Sequence, residues 1–162
     1  MAALMPQKAQ VRPATAMDSV NVVRLLKAQY GESAARFLAP FDDQRVLEYV
    51  VKTIAECFAI VSESGGRLLG SVAMAPVRLP WCGVLAMGEA WFAVVPKCRG
   101  NGIGEQLLSA VSAFLDSQHV PAIHGTNLLA PEGFDALLAK RRELIIGRTT
   151  YVRARAVAKK VA

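Results

Sequence analysis

Three glycines at alternate positions, Gly100, Gly102 and Gly104, follow Arg99 in the sequence RGNGIG. They stand between an apolar run, AWFAVV, and an amphipathic run that is typical of a helix. The first amides of a helix have no intrahelical partner and lie at the positive end of its dipole. Glycines let an anion approach those amides, and an arginine adds charged donors. This pattern predicts a site for a phosphate or a pyrophosphate.

Two other phosphate-binding patterns fit these residues poorly. The dinucleotide fingerprint GxGxxG belongs to a first strand–helix–strand unit, whereas here Glu105 takes the place of the third glycine and several elements precede the segment. A P-loop needs Gly-Lys followed by Ser or Thr, which this sequence lacks. A glycine-rich turn without a ligand is the remaining alternative, and Arg99 and the strand–turn–helix context argue against it.

Two helices and a short strand are predicted before the glycines. VRPAT reads as the first strand, and VNVVRLLKAQY as a helix that Asp18 or Ser19 caps and Gly31 interrupts. Asp42 or Asp43 is predicted to begin a second helix.

The period then changes to that of strands. CFAIVSES and LLGSVAMAPV form a predicted hairpin around GGR, and VLAMGEAWFAVV is the next strand, in which Gly88 marks a bend or a bulge. A helix follows the glycines, VPAIHGT reads as a strand, and FDALLAKRR and LIIGRTTYVRA read as a final helix and strand. The order predicts a mixed sheet with helices on its faces.

The glycine segment resembles the acetyl-CoA-binding motif of the GNAT N-acetyltransferase superfamily, which reads Gln or Arg, two residues, Gly, one residue, Gly or Ala. AWFAVVP resembles the family's fourth strand, VRPATAMDSVNVVRLL its first strand and helix, and LLAKRRELIIGRTTYVRAR its last helix and strand. The resemblance spans most of the chain. It implies an α/β (α+β) fold with a mixed, mostly antiparallel sheet, splayed central strands and helices on both faces. We expect a single domain over residues 1–162, with a basic tail from about residue 153.

The resemblance also implies acetyl-CoA as co-substrate, with its pantetheine arm between strands four and five. Backbone groups of Phe92 and Val94 are expected to pair with the arm, and the Val94 N–H to face the thioester oxygen. Asn127 is expected to bond the arm or a water. The pyrophosphate is assigned to the amides of six consecutive residues: Arg99, Gly100, Asn101, Gly102, Ile103 and Gly104.

Glu89 is the candidate general base. An amine must lose its proton before it attacks a thioester, and several members of the family place a base glutamate at this point of the fourth strand. A carboxylate flanked by MG and AWF is expected to be partly buried. Strand alternation predicts that Glu89 and Trp91 share a face, so that Trp91 is either a wall of the acceptor pocket or part of the core.

The family's usual general acid is missing. A tyrosine on the last helix often protonates the departing thiolate, and Ala139 fills that slot in this sequence. Tyr151 is the substitute that we assign, with His124 and solvent as alternatives. A structural role is the alternative for Glu89 and for Tyr151.

Composition sets further expectations. A hydrophobic content of 53% in 162 residues suits one folded domain. Three cysteines without a CxxC pair and two isolated histidines predict no metal site and no disulfide framework. No apolar run reaches the length of a membrane helix, and the first residues lack a signal-peptide core, so a cytoplasmic protein is expected. From residue 140 onward there are eight Lys or Arg and one acid. Such a tail suits a polyanionic partner, and the alternatives are a solvated end and a homodimer contact.

The resemblance to the GNAT superfamily implies an acetyl-CoA-dependent N-acetyltransferase that transfers the acetyl group directly to an amine. The acceptor class and the acyl chain length are not encoded in the glycine segment. The alternatives are a GNAT-fold binding or assembly module without activity, and an acyltransferase that modifies nucleic acid.

Overall fold

The structure is a computed structural model that describes residues 9–37, 39–78, 82–123 and 137–138. The predicted last strand lies outside these residues, and so does most of the predicted last helix. Leu137 and Leu138 are described and are helical, in agreement with the FDALLAKRR prediction.

One five-stranded sheet forms the centre of the described chain, in the spatial order β1-β2-β3-β4-β5. Neighbouring strands are antiparallel except for β4 and β5, which are parallel. The mixed, mostly antiparallel sheet is therefore confirmed. The strands are β1 (Gln10–Pro13), β2 (Phe58–Ser64), β3 (Arg67–Arg78), β4 (Leu85–Val94) and β5 (Ala122–Ile123).

Within the described residues, three complete α-helices accompany the sheet: α1 (Ser19–Glu32), α2 (Asp43–Glu56) and α3 (Ile103–Gln118). The Asp42 carboxylate caps α2 by accepting from the Arg45 amide at 3.0 Å, as predicted. The predicted interruption at Gly31 is wrong, because α1 runs through Gly31 to Glu32. One glycine near a helix end costs only about 1 kcal/mol, which tertiary contacts offset. Within the described residues, no helix is both long enough and apolar enough to span a membrane.

The sheet separates two apolar layers. One lies between the sheet and α3, and its buried members are Ile60, Val72, Met74, Phe92, Val94, Ile103, Leu107, Leu108, Val111 and Leu115. The other lies between the sheet and α1 and α2, and its buried members are Val22, Val23, Leu25, Leu26, Val50, Ala59, Val61, Ala73, Trp91 and Ala93. Alternate residues of β4 supply both layers, so this strand is the element on which the fold is centred.

Asp18 has a different role from the predicted one. It stands at the N-cap position of α1, but its side chain makes no cap bond to that helix. Its carboxylate instead accepts from the Thr15 amide at 2.8 Å and from both terminal nitrogens of Arg12, at 2.8 and 2.9 Å. Arg12 also donates to Glu63 at 2.7 Å. This ion-pair network ties β1 and the start of α1 to β2.

A β-bulge interrupts β4. Ala73 of β3 pairs with Trp91, whereas the next residue, Met74, pairs with Glu89, so Ala90 is an extra residue in β4. The bulge predicted at Gly88 therefore falls at Ala90, and Gly88 itself is paired with Ala75.

Candidate functional site

The backbone of Phe92 and Val94 faces away from β3. Val95 donates its amide hydrogen to the Leu69 carbonyl at 2.8 Å, which makes that pair a hydrogen-bonded one. Bonded and non-bonded pairs alternate in an antiparallel ladder, so Val94 and Phe92 direct their N–H and C=O groups toward the β5 side. The described part of β5 pairs only with Met87 and Gly88. The β4 edge beyond the bulge is thus oriented as the predicted arm-binding edge requires.

Two side chains already bond the carbonyls of this edge. Gln29 donates from Nε2 to the Phe92 carbonyl at 3.1 Å, and Arg99 donates from Nε to the Val94 carbonyl at 3.2 Å. Gln29 comes from the last part of α1, and Arg99 from the glycine segment. Both elements therefore converge on the same edge of β4.

The backbone of the glycine segment depends on two left-handed residues. A 3₁₀ turn, Pro96–Cys98, follows β4, and Gly100 and Gly102 then adopt φ values of +81° and +79°. A Cβ at either position would meet no atom within 4 Å, so the conformation and not the available space requires glycine here. Gly102 is the N-cap of α3 and offers no capping side chain, so the amides that begin the helix are left to other partners.

The six predicted phosphate-binding residues differ in what they can offer. The Arg99 and Asn101 amides donate to the Pro96 and Cys98 carbonyls at 3.2 and 3.4 Å and so close the turn. Ile103 begins α3 with its side chain buried in the α3 layer. Gly104 lies close to Phe92: a Cβ there would stand 3.3 Å from the Phe92 ring. The first turn of α3 is consequently seated directly beside the β4 edge.

Arg99 is held by α1. Its terminal nitrogen lies 2.8 Å from the Glu32 carboxylate, and the arginine side chain is only 28% exposed. Sequence reasoning assigned no role to either Glu32 or Gln29. Neither belongs to a recognisable motif, and only the packing of α1 against β4 brings them to this edge.

Glu89 is buried, with 5% of the residue exposed. Glu89 is paired with Met74, which is buried in the α3 layer. Met87, two residues before Glu89 in β4, packs in the same layer. Ala90 packs in the opposite layer with Trp91. The prediction that Glu89 and Trp91 share a face is therefore wrong, because the extra residue at Ala90 reverses the alternation. Glu89 instead lies on the face of Phe92 and Val94.

Trp91 belongs to the core and is 1% exposed. Its Nε1 donates to the Ser71 hydroxyl at 3.0 Å, and that hydroxyl donates to the Ile60 carbonyl at 3.0 Å. A buried indole with a satisfied N–H stabilises the α1–α2 layer and does not line a binding pocket. Of the two interpretations of Trp91, the core one is confirmed.

The other candidates lie outside the described residues: Tyr151, His124, Asn127 and Ala139. Within the described residues, no three side chains of the His, Cys, Asp or Glu type come together as metal ligands. The three cysteines are free thiols.

A cavity of about 380 Å³ opens between α1, the β2–β3 turn and the end of β4. Arg24 and Arg67 line it beside Val95 and Pro96, and Glu89 is not among its described lining residues. Its charge suits an anionic or hydrogen-bond-accepting group. The cavity lies on the α1 side of the sheet, across from the α3 face that carries Glu89.

Comparison with known proteins gives a family and a fold. The model of the acetyltransferase (GNAT) family matches residues 22–127. A solved structure described as a predicted acetyltransferase with acetyl-CoA, from Clostridium acetobutylicum, superposes with a TM-score of 0.72 at 15% identity, over 90% of this chain and 96% of that chain. The ribosomal-protein-alanine N-acetyltransferase of Brucella melitensis biovar Abortus 2308 gives 0.62 at 18%, over 90% and 98%. An aminoglycoside N-acetyltransferase in complex with CoA gives 0.67 at 14%, over 95% and 99%. No curated protein matches the sequence.

Proposed function

Because the chain belongs to the acetyltransferase (GNAT) family, we propose that it transfers an acetyl group from acetyl-CoA directly to an amine. The observation that carries this proposal is the junction of β4 and α3. There, two left-handed glycines lead into an uncapped helix N-terminus, next to a strand edge whose backbone groups face away from β3. This arrangement suits a ligand that has a pyrophosphate at one end and an extended amide arm at the other.

We assign the binding of acetyl-CoA to backbone groups of the glycine segment and of β4. The pyrophosphate would lie at the start of α3, against the amides of Gly102, Ile103 and Gly104, with the Gly100 and Asn101 backbone completing the turn. The pantetheine arm would run along the β4 edge at Phe92 and Val94. Asn127 stays a proposed contact of the arm.

The chemistry needs a neutral amine whose nitrogen attacks the thioester carbon. The new C–N bond forms, the C–S bond breaks, and CoA leaves as a thiolate that takes up a proton. We assign the removal of the amine proton to Glu89, a buried carboxylate on the same face of β4 as Phe92 and Val94. The Val94 N–H, directed away from β3, is the proposed donor to the thioester oxygen as negative charge develops on it.

The proton that the thiolate takes up has three proposed sources. Ala139 occupies the position at which relatives often carry an acidic tyrosine hydroxyl. Tyr151 is the proposed replacement, and His124 and solvent are the alternatives. A Tyr151→Phe variant tests the replacement, because unchanged turnover in this variant would leave His124 or solvent as the source.

The test is release of CoA thiol from acetyl-CoA in the presence of an amine panel. The panel should contain aminoglycosides, peptides with a free N-terminus, lysine peptides and polyamines. Amine-dependent release by at least one acceptor is the expected result. CoA binding without release by any acceptor would favour the non-catalytic module instead.

The acceptor panel spans proteins and small molecules, because related structures include both a protein-alanine and an aminoglycoside acetyltransferase. We also propose that the basic tail from about residue 153 binds a polyanionic partner and that the chain can form a homodimer. The proposed single domain spans residues 1–162, and its tail lies outside the described residues. We also propose a cytoplasmic location, as the sequence predicts.

A further inference from the structure

Gln29 is buried on the inner face of α1, with 2% of the residue exposed. Its Nε2 donates to the Phe92 carbonyl at 3.1 Å, on the edge of β4 that faces away from β3. Its Oε1 is buried and has no hydrogen-bond partner among the described residues. The two atoms belong to one planar carboxamide, so the bond at Nε2 fixes where Oε1 is held.

An unpartnered buried amide oxygen needs an explanation. Buried side-chain polar atoms in folded proteins are hydrogen-bonded in the large majority of cases, and exceptions often mark functional positions. A leucine or methionine at residue 29 would fill a similar volume without leaving a polar atom unsatisfied. The glutamine therefore suits a molecule that supplies the missing donor.

The position of Gln29 indicates which kind of hydrogen-bond donor would suit its Oε1 atom. Its Nε2 bonds the Phe92 carbonyl, the group that an extended amide ligand would otherwise use as an acceptor along this edge. The same carboxamide presents a second acceptor, Oε1, beside that carbonyl. An amide oxygen is a neutral acceptor, so it suits an uncharged N–H donor. An oxygen already removed from water also has little hydration left to lose when a ligand donates to it.

We propose that Gln29 binds the pantetheine arm of acetyl-CoA, with Oε1 accepting a hydrogen bond from one of the two amide N–H groups of the arm. This inference rests on the proposed function. It adds a side chain of α1 to a binding edge that otherwise consists of backbone, and it makes the seating of α1 part of substrate recognition.

The first test uses Gln29→Met, which keeps an unbranched side chain of similar size and removes both polar atoms. Calorimetry should compare two ligands: CoA, and 3′-phospho-ADP, which has the pyrophosphate but lacks the arm. CoA is expected to bind about tenfold more weakly to the variant, the usual worth of one hydrogen bond to a buried group. Binding of 3′-phospho-ADP is expected to be unchanged. Gln44→Met, at an exposed glutamine of α2, is the matched control and should change neither ligand.

The second test leaves the protein intact and changes the ligand. Two CoA analogues, each with one arm amide replaced by an ester, lack one N–H group apiece. One of them is expected to bind wild-type protein about tenfold more weakly and to show no further loss with Gln29→Met. Where Gln29→Met melts too low for calorimetry, Gln29→Leu is measured in its place, because the absence of a further loss, and not the loss in wild-type protein alone, assigns the bond to Gln29.

Four results of these experiments would contradict the assignment of Gln29 to the pantetheine arm. Unchanged CoA affinity in a folded Gln29→Met protein, equal losses for CoA and 3′-phospho-ADP, or undiminished binding of both ester analogues would overturn the assignment. A raised KM for the amine at unchanged CoA affinity would assign Gln29 to the acceptor and overturn it as well. Wild-type protein that binds neither CoA nor 3′-phospho-ADP would instead refute the proposed function, which is a separate result.

Discussion

The guanidinium of Arg99 lies 2.8 Å from the carboxylate of Glu32 and donates through Nε to the Val94 carbonyl at 3.2 Å. The last turn of α1, the glycine segment and the end of β4 therefore meet at one arginine. Glu32 compensates positive charge at the very point where a pyrophosphate is expected. The ion pair thus opposes the attraction that Arg99 offers to an anionic ligand.

Removing Glu32 and removing Arg99 should change CoA affinity in opposite directions. Glu32→Gln frees the positive charge and is expected to tighten CoA binding about two- to fivefold, a range that corresponds to a partly exposed ion pair. Arg99→Ala is expected to weaken it. Both effects should shrink at high salt, because added ions screen partly exposed charges. Calorimetry at low and at high ionic strength measures them.

A matched control for this pair is Asp43→Asn, which breaks the exposed Lys27–Asp43 ion pair between α1 and α2. It should leave CoA affinity unchanged. Equal affinities for Glu32→Gln and wild type at low salt would show that the Glu32 carboxylate does not oppose CoA binding through its charge.

Gly102→Glu should abolish CoA binding. The substitution puts a carboxylate at the N-cap of α3, where the phosphates are expected, and it also strains a residue with φ of +79°. Gly66→Glu is the control, because Gly66 has a similar φ of +73° and lies in the exposed β2–β3 turn. Calorimetry and thermal melting should be run on both variants. If the two lose stability alike and Gly102→Glu still binds CoA like wild type, the pyrophosphate lies elsewhere.

The part of this site that could be predicted is the part that local sequence determines. Positive φ at Gly100 and Gly102 follows from the short-range geometry of a strand–turn–helix connection, and the Asp42 cap from the helix that it begins. The contacts of Gln29 and Glu32 could not be predicted in this way. They depend on how α1 packs across the sheet, and no local pattern distinguishes these residues from other polar residues of a helix.

Glu89→Gln should lower turnover by about 10²–10⁴-fold, the usual contribution of a general base. The substitution keeps the shape of a buried side chain and removes its ability to take a proton. CoA affinity should persist, because the glycine segment is unchanged.

The exposed Glu56→Gln, at the end of α2, serves as the control and should retain full turnover. Full turnover of Glu89→Gln with a genuine acceptor at neutral pH would leave Glu89 a structural role only. Loss of CoA binding together with turnover would indicate a disturbed β4 and not a missing base.

The free energy of unfolding should depend on pH through Asp18. Hydrogen bonds from Arg12 lower the pKa of Asp18 to about 2, although burial opposes the shift. An unfolded aspartate titrates at about 3.9, so the native state is stabilised above that value, and the stabilisation is lost as the pH falls through the folded-state pKa. We expect it to amount to about 1–2 kcal/mol, since Arg12 is partly exposed.

Asp18→Asn should therefore have a lower free energy of unfolding than wild type at pH 7. The difference between the two free energies should become smaller between about pH 4 and pH 2. Urea unfolding across this range measures the difference. Asp116→Asn, at an exposed aspartate of α3, should show no such narrowing. A deficit that is constant with pH would mean that the Asp18 carboxylate contributes through packing and not through its charge.

The bulge at Ala90 explains the one prediction about catalytic geometry that was wrong. Alternation along WFAVV was correct, since Phe92 and Val94 share the α3 layer and Trp91 and Ala93 the opposite one. It failed between Trp91 and Glu89, because the register of β4 is set jointly with β3 and no residue in β4 alone specifies where an extra one is inserted. Long-range pairing of this kind is invisible to a periodicity analysis.

The same extra residue affects how distances along the chain should be compared among related sequences. In a β4 without it, a carboxylate on the Phe92 face would stand one residue closer to the arginine of the glycine segment than Glu89 does to Arg99. An ungapped alignment would then place the two acids in different columns although they occupy one position in space. Deleting Ala90 would remove the bulge and leave Glu89 on the face of Phe92, because Glu89 and Trp91 would then be adjacent and would alternate as their partners Met74 and Ala73 do. The length of β4 can therefore change by one residue at position 90 without moving the carboxylate from the face that carries the site.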